Sequence, residues 1–164
     1  MARKLYFAAN GASPTTASQV AVATGTAIKT LLQIATPSTT GIVIVEWGLS
    51  FDGSSAVTPG IVELIQTDVA ATSGTSLTPS IWGDPNAPPS LCVGGTGATC
   101  FSPSAEGTIT ATRMFDVQQV APTNQYVKQF PLGREAEVPV SKFLRIRVKF
   151  GTTVNVIAYL IWEE

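Results

Sequence analysis

The sequence predicts an all-β fold, arranged as a single β-sandwich or barrel-like domain. The dominant hydrophobic period is two residues rather than 3.6, which is typical of strands with one buried face. We find no convincing amphipathic helix, and turn residues separate a series of short apolar runs. A chain of 164 residues suits one domain, whose core needs no metal or disulfide to hold it.

The predicted strands are short and follow one another along most of the chain. Pro139 inside one of them indicates a sheet edge or a bulge, because proline donates no ladder hydrogen bond. Many short strands with turns between them are typical of sandwiches and barrels. The runs are 3–8, 19–23, 27–35, 41–51, 60–67, 107–117, 126–130, 136–140, 141–150 and 153–162.

The run 141–150 carries the clearest alternation. Apolar residues occupy its even positions from 144 onward, and Arg145, Arg147 and Lys149 occupy the odd ones. One face of this strand is therefore predicted to be buried and the other solvated. Gly151 suits the first central position of a type II′ turn, which predicts a hairpin between this run and 153–162.

The run 153–162 is apolar on both faces. Ile157, Tyr159 and Ile161 form its second face. An ordinary sandwich buries only one face of each sheet. We therefore expect this strand to be central or covered, either by another subunit or by the long loop of the same chain.

Two segments lack a strand pattern. The segment 68–104 is rich in glycine, serine, threonine and proline, and only residues 77–82 in it could form a short strand. A loop of this length in a compact domain is usually functional or disordered, and we expect it to be ordered by contact with another chain. Residues 1–18 are expected to form a flexible N-terminal arm, which leaves 19–164 as the folded domain.

Composition limits the classes of partner. Charged residues make up 13% of the chain and the formal net charge is −1, which argues against a protein that coats nucleic acid. No apolar run reaches the ~18 residues that a membrane span needs. The apolar stretch at the start breaks at Asn10 and Gly11, too early for a signal peptide. We expect synthesis in a host cytoplasm, with neither nucleic acid nor membrane as a direct partner.

The residue types of common active sites are largely missing. Histidine is absent, which removes the commonest general base and metal ligand. The glycines near residue 95 lack the lysine and the helix of a phosphate-binding loop. Glu46 and Glu63 lie on predicted strands that could be neighbours, so a glycosidase-like pair stays open, with soluble strand-edge charges as the alternative. We expect no enzyme and no cofactor.

Cys92 and Cys100 are the two cysteines of the chain. They either form a disulfide that closes a glycine-rich loop or remain free thiols in that loop, and a cytoplasmic protein favours free thiols. With no histidine to complete a ligand set, we expect no zinc site.

Six residues are candidates for contact with other proteins. A tryptophan beside a long loop is a typical exposed anchor. The three cations of 141–150 form either a ridge that grips an acidic surface or the solvated face of an amphipathic strand, and the second interpretation is favoured because like charges deter edge-to-edge aggregation. Two residues on the second face of 153–162 complete the set. The candidates are Trp82, Arg145, Arg147, Lys149, Tyr159 and Ile161.

Two stretches of the chain resemble a known family. They are 4–11, which reads KLYFAANG, and 125–135, which reads QYVKQFPLGRE and leads into FLRIRV at 143–148. In these stretches and in overall character the sequence resembles the capsid decoration proteins, also called minor capsid or cement proteins, of tailed bacteriophages. The resemblance implies a β-rich protein on the outer face of an icosahedral head, commonly trimeric, which contacts the major capsid protein and braces it. It implies no catalytic residues.

We therefore expect a structural virion protein that stabilises a capsid as a homo-oligomer, most simply a trimer. A surface with few charges suits this role, because protein neighbours cover it at little desolvation cost. Two alternatives stay open: another virion β-domain, such as a head-fibre or tail component, and a carbohydrate-active or carbohydrate-binding β-sandwich with Trp82 as a stacking platform.

Overall fold

A computed structural model gives the fold, and it describes residues 4–52, 58–72, 74–93 and 99–164. In these ranges the chain forms thirteen β-strands and no helix. The strands make two antiparallel sheets that pack face to face. The protein is therefore a β-sandwich and not a closed barrel, which confirms the predicted fold class. Within the described part of the chain, no helix has the length and apolarity needed to cross a membrane.

The strands are numbered in chain order. They are β1 (Leu5–Ala9), β2 (Val22–Ala23), β3 (Lys29–Ala35), β4 (Ile42–Phe51), β5 (Gly60–Thr67), β6 (Thr75–Ser76), β7 (Ser80–Ile81), β8 (Cys100–Phe101), β9 (Thr112–Val120), β10 (Tyr126–Gln129), β11 (Ala136–Val138), β12 (Phe143–Lys149) and β13 (Asn155–Glu163).

Each sheet is built around one of the last two strands. The first, here called the β13 sheet, has the order β10-β4-β13-β1-β7, with β11 also paired to β4 and β2 also paired to β13. The second, here called the β12 sheet, has the order β6-β8-β3-β12-β5-β9. Because β12 and β13 are both interior strands, their inward-facing residues lie at the centre of the core between the sheets.

The core explains why β12 and β13 take these places. The inward residues of β13, such as Leu160 and Trp162, pack with the inward residues of β12, such as Leu144 and Ile146, in one cluster in which each is at most 1% exposed. Trp47 of β4 is fully buried in the same cluster. Burying a large apolar side chain stabilises a fold by about 1.5–3 kcal/mol, so the two most regularly apolar strands are best placed where both neighbours are strands.

The predicted hairpin between β12 and β13 is wrong, because the two strands belong to different sheets. The connection crosses from one sheet to the other, and Phe150 and Val154 at its ends are each only 2% exposed. The Phe150 ring packs edge-on against Phe51 of β4, with centroids 5.4 Å apart. Gly151 is not among the described glycines with positive φ, so it makes no type II′ turn. Burial of both ends outweighs the local preference for a tight turn.

Most other predicted strands are present with altered ends. The runs at 41–51, 60–67 and 126–130 match β4, β5 and β10 to within one residue, whereas 19–23 shrinks to β2 and 107–117 shifts to β9. Pro139 follows β11, which pairs with β4 alone among the described strands, as expected for a strand at a sheet edge. The described part of the loop 68–104 holds three two-residue strands: β7 lies in the predicted 77–82 segment, and β6 and β8 were not predicted.

The predicted N-terminal arm is shorter than 1–18. Strand β1 pairs with β13 over its whole length, and the fully buried Asn10 side chain continues this junction. Its amide donates to the Val156 carbonyl (3.1 Å) and accepts from the Ala158 N–H (2.8 Å). Residues 11–18 carry no strand and are mostly exposed. Among the described residues of the predicted arm, only residue 4 and residues 11–18 therefore lie outside the β13 sheet and its junction at Asn10.

Cys92 and Cys100 are free thiols, as the cytoplasmic interpretation favoured, but they are not exposed on a loop. Both side chains are fully buried. Burial raises the pKa of both thiols, and the Glu164 carboxylate also raises that of Cys92. Both cysteines therefore act as small core residues.

Candidate functional site

Three aromatic rings lie in a row on the outer face of the β13 sheet. Phe7 of β1 and Tyr159 of β13 point outward on adjacent strands, and Trp82 follows β7, which pairs with the other edge of β1. The Trp82 and Phe7 ring centroids are 5.6 Å apart and those of Phe7 and Tyr159 are 5.9 Å apart, with interplanar angles of 23° and 21°. We call Trp82, Phe7 and Tyr159 the aromatic row. Trp82 is 58% exposed.

Local backbone contacts hold the row in place. The N–H groups of Trp82 and Gly83 both donate to the Leu5 carbonyl, at 2.8 and 3.2 Å, so the loop carrying Trp82 is tied to β1. The Tyr159 ring lies flat over Gly48 of β4, where an added Cβ would come within 2.7 Å of the ring. Glycine at position 48 therefore gives the Tyr159 ring room to lie against the sheet.

A shallow groove of about 460 Å³ runs beside the row. Leu5, Val45 and Ile161 line its floor, and Glu46 and Gln129 line it with polar groups. The Tyr159 hydroxyl donates to Glu46 Oε1 at 2.5 Å. Burial raises the pKa of Tyr159, and the neighbouring Glu46 carboxylate raises it further. The groove is therefore amphipathic, with apolar rings, a carboxylate and an amide in one surface.

The aromatic row contains two of the interface candidates, Trp82 and Tyr159. A further candidate on β13, Ile161, is buried. Trp82 and Tyr159 lie together at the surface, but Ile161 is only 6% exposed in the single chain. Trp82 comes from the long loop, so that loop covers part of this face, as the intramolecular alternative predicted. Sequence reasoning missed Phe7 as a site residue, since its place depends on the pairing of β1 with β13.

The predicted solvated face of β12 is wrong at Arg145, which is completely buried. Its Nη1 donates to Glu106 Oε2 (3.1 Å) and to the Glu106 carbonyl (2.8 Å), and its Nη2 donates to the Val69 carbonyl. Gln33 of β3 reaches the same cover, since its side chain accepts from the Ala71 N–H at 2.7 Å. The start of the long loop and Glu106, just beyond its end, thus close over the β12 sheet. The buried guanidinium holds both there, and Thr30 of β3 also donates to the Glu106 carboxylate.

The other two cations do not form a free basic ridge. Arg147 donates through Nε to Glu63 Oε2 at 2.7 Å, with both side chains partly exposed. Lys149 is exposed at the end of the strand. The expected cluster of three open cations is therefore reduced to a paired arginine and one exposed lysine.

Glu46 and Glu63 cannot act as a glycosidase pair. Glu46 is on β4 of the β13 sheet and Glu63 is on β5 of the β12 sheet, and each faces outward beside its partner, Tyr159 or Arg147. The two carboxylates lie on opposite outer faces of the sandwich. No described group of three or more histidine, cysteine, aspartate or glutamate residues could hold a metal ion.

Lys4 and Glu164 meet, and Glu164 also contacts part of the long loop. The Glu164 N–H donates to the Lys4 carbonyl at 3.1 Å. The Glu164 carboxylate accepts from the Ser90 hydroxyl and from the Leu91 N–H, the latter at 2.8 Å. Leu91 and Val93 nevertheless remain 52% and 57% exposed. We call residues 4, 88–93 and 164 the terminal end.

Comparison with known proteins identifies no relative. No protein family model, curated protein or solved structure matches this chain. The geometry of the chain itself is therefore the basis for the functional argument.

Proposed function

We propose that this chain is a structural virion protein that binds the outer surface of a phage icosahedral capsid and stabilises it. The observation that best supports this role is the terminal end. There, the Glu164 carboxylate accepts hydrogen bonds from Ser90 and Leu91, and the side chains of Leu91 and Val93 remain exposed. Large apolar side chains held rigidly at a surface are typical of protein–protein contacts, because little conformational entropy is lost when they bind.

The low charge of the chain supports a protein partner, which we propose is the major capsid protein. With 13% charged residues, a protein partner covers few ions on this chain. Of the charged groups at the terminal end, the Glu164 carboxylate already accepts hydrogen bonds from Ser90 and Leu91, which lowers the cost of covering it. For the same reason the association depends weakly on salt.

We further propose a homo-oligomer, most simply a trimer. The covered side chain of Ile161 removes part of the reason for placing a subunit on the β13 sheet. The outer face of β5 and β9 is a better candidate, because Ile61, Met114 and Val117 are 39%, 70% and 42% exposed there. Closed cyclic assemblies are the usual form of homo-oligomers. Linked copies that dock together raise avidity by about 10²–10⁴.

The capsid proposal is tested with shells of the parent phage assembled without this protein. Wild-type protein is expected to co-sediment with the shells at both low and high salt. The double variant Leu91→Asp, Val93→Asp is expected to bind at least about tenfold more weakly. Leu132→Asp, at a 79% exposed turn position outside the terminal end, serves as the matched control and should bind normally. Failure of the wild-type protein to co-sediment would overturn the proposal.

The oligomer is tested separately by size-exclusion chromatography with light scattering. A trimer has three times the 17.1 kDa mass of the chain. Met114→Asp is expected to shift the protein toward monomer. A single monomeric species for the wild-type protein at micromolar concentration would exclude the oligomer, without bearing on the shell-binding result.

A further inference from the structure

We infer that the aromatic row is a binding site for a neutral carbohydrate chain, a function separate from capsid docking. A pyranose ring has a face of C–H bonds and a rim of hydroxyl groups, so it is recognised by a flat aromatic surface with hydrogen-bonding groups at its side. The Trp82, Phe7 and Tyr159 rings lie within 23° of parallel in successive pairs, with successive centroids 5.6 and 5.9 Å apart. The rings are stacked on one another along the row, and Trp82, which is 58% exposed, offers the ring face that does not contact Phe7 as the flat surface for a sugar.

The polar groups of the groove complete this recognition surface. Glu46 and Gln129 lie on neighbouring strands in direct register, and both line the groove beside Tyr159. Glu46 Oε1 accepts from the Tyr159 hydroxyl, and no described side chain donates to Oε2. A carboxylate oxygen and an exposed primary amide together offer acceptors and two donors to sugar hydroxyls.

The charges of the groove favour a neutral sugar over an anionic one. Glu46 makes no ion pair with any described lysine or arginine. The groove is therefore negatively charged, and an acidic sugar would be repelled. A cationic side chain is a poorer fit, because the rings form a row rather than facing one another around a central space.

An apolar protein surface is also a poorer fit than a sugar. Such a partner would cover Glu46 without replacing the hydrogen bonds that water makes to its free oxygen, and burying an unpaired carboxylate is costly. Sugar hydroxyls supply these bonds. Ligand sites commonly combine mainly apolar walls with a few placed polar groups, which is the composition of this groove.

The site is already formed in the free chain. The backbone of Trp82 is tied to Leu5 by two hydrogen bonds that converge on one carbonyl, and its ring stacks on Phe7. A sugar would therefore bind without ordering the loop first, which lowers the entropic cost of binding.

The test is affinity electrophoresis of the whole chain in native gels that contain hydroxyethylcellulose, mixed-linkage β-glucan, xylan, mannan or galactan. We expect at least one of these neutral polysaccharides to retard the protein. Trp82→Ala is expected to weaken that binding at least about tenfold, because it removes the exposed Trp82 ring from the aromatic row. Glu46→Gln, which preserves the size of the side chain, is expected to weaken it by a smaller factor.

Val20→Ala, at a 77% exposed apolar position that lines neither the groove nor either proposed protein interface, is the matched control and should be retarded like the wild type. Circular dichroism establishes that each variant is folded. The inference is overturned if none of the five polysaccharides retards the wild-type protein, or if Trp82→Ala is retarded as strongly as the wild type. If no polysaccharide retards the wild type and Trp82→Ala also loses shell binding, the aromatic row is a protein contact and the inference is overturned. The Leu91→Asp, Val93→Asp variant should keep polysaccharide binding, which separates this test from that of capsid docking.

Discussion

The outer faces of the two sheets are finished in different ways. Over the β12 sheet, the start of the long loop and Glu106, just beyond its end, close on Arg145, and the guanidinium is fully buried with Glu106 and the Val69 carbonyl as partners. Over the β13 sheet, the same loop contributes mainly Trp82, which leaves the aromatic row and its groove open. The same loop thus covers Arg145 on one outer face and contributes an exposed tryptophan to the other.

The difference shows what each kind of residue requires. A buried guanidinium is tolerated only when an opposite charge and several acceptors surround it. The Glu106 carboxylate and two backbone carbonyls meet Nη1 and Nη2 of Arg145, whereas its Nε has no partner among the described residues. Aromatic rings at a surface make no such demand, since a partly exposed ring lacks only some of its packing. The covered face is therefore expected to contribute stability, and the open face is expected to be available for binding.

The largest effect is expected from Arg145→Met. It removes the cation beside the Glu106 carboxylate, which keeps the N–H and hydroxyl of Thr30 as donors, and it leaves the Glu106 and Val69 carbonyls without the guanidinium donor. Removing one partner of a buried ion pair costs about 3–5 kcal/mol. We expect a loss near the lower end, about 3 kcal/mol, because the Glu106 side chain keeps 23% exposure. Urea denaturation measures this free energy of unfolding.

Arg147→Met on the same strand is the control, because its pair with Glu63 is partly exposed. It should cost about 1 kcal/mol or less. Equal losses for the two variants would show that the cover over Arg145 does not hold the loop.

A smaller effect is expected from Trp82→Ala on the open face. The substitution removes the stack of the Trp82 ring on Phe7, worth about 0.5–1.5 kcal/mol. Because Trp82 is 58% exposed, little other packing is lost. Thermal unfolding should shift only slightly. A loss comparable with that of Arg145→Met would mean that Trp82 is a structural residue of the core, and the contrast between the two faces would fail.

The smallest effect is expected to be an acid dependence of stability that comes from Asp68, the first residue of the long loop. The Thr110 hydroxyl and the backbone N–H groups of Thr110 and Ala111 donate to the Asp68 carboxylate, and these bonds, that from the Thr110 hydroxyl foremost, lower the pKa of Asp68 to about 2. A lowered folded-state pKa gives stability that is present above the ordinary value of 3.8 and is lost as the pH falls through about 2.

The carboxyl resonance of Asp68 followed by NMR should report the low pKa directly. Thr110→Val should raise it toward the ordinary value, because the hydroxyl donor is lost. Asp68→Asn should flatten the decline in stability below pH 4. An unchanged titration in Thr110→Val would contradict the assignment of these hydrogen bonds.

The period-two pattern predicts the strands well but says little about which strands pair. It identifies faces, so the all-β class and strands such as β4 and β5 follow from it. Pairing depends on contacts between distant residues: the hairpin predicted at Gly151 is locally reasonable, yet buried Phe150 and Val154 send the chain to the other sheet.

The candidate site was predictable only in part, for the same reason. Trp82 and Tyr159 stand out as aromatic residues in a loop and on an outward strand face. Phe7 joins them only through the β1–β13 register. The charged pattern of β12 is that of a solvated face, and its cover comes from Val69 and Glu106, far along the chain, with no local signal that they return to Arg145.

The position of β12 and β13 late in the chain bears on how the protein is made. Strands β1 and β4 must wait for β13, and β3 and β5 must wait for β12, before either sheet gains its interior strand. A nascent chain still attached at about residue 140 therefore exposes several unpaired strand edges on the ribosome, which other chains could pair with. Pairing between strands that are far apart in the sequence also slows folding. The domain is thus expected to reach its native state only after Glu163 has left the ribosomal exit tunnel.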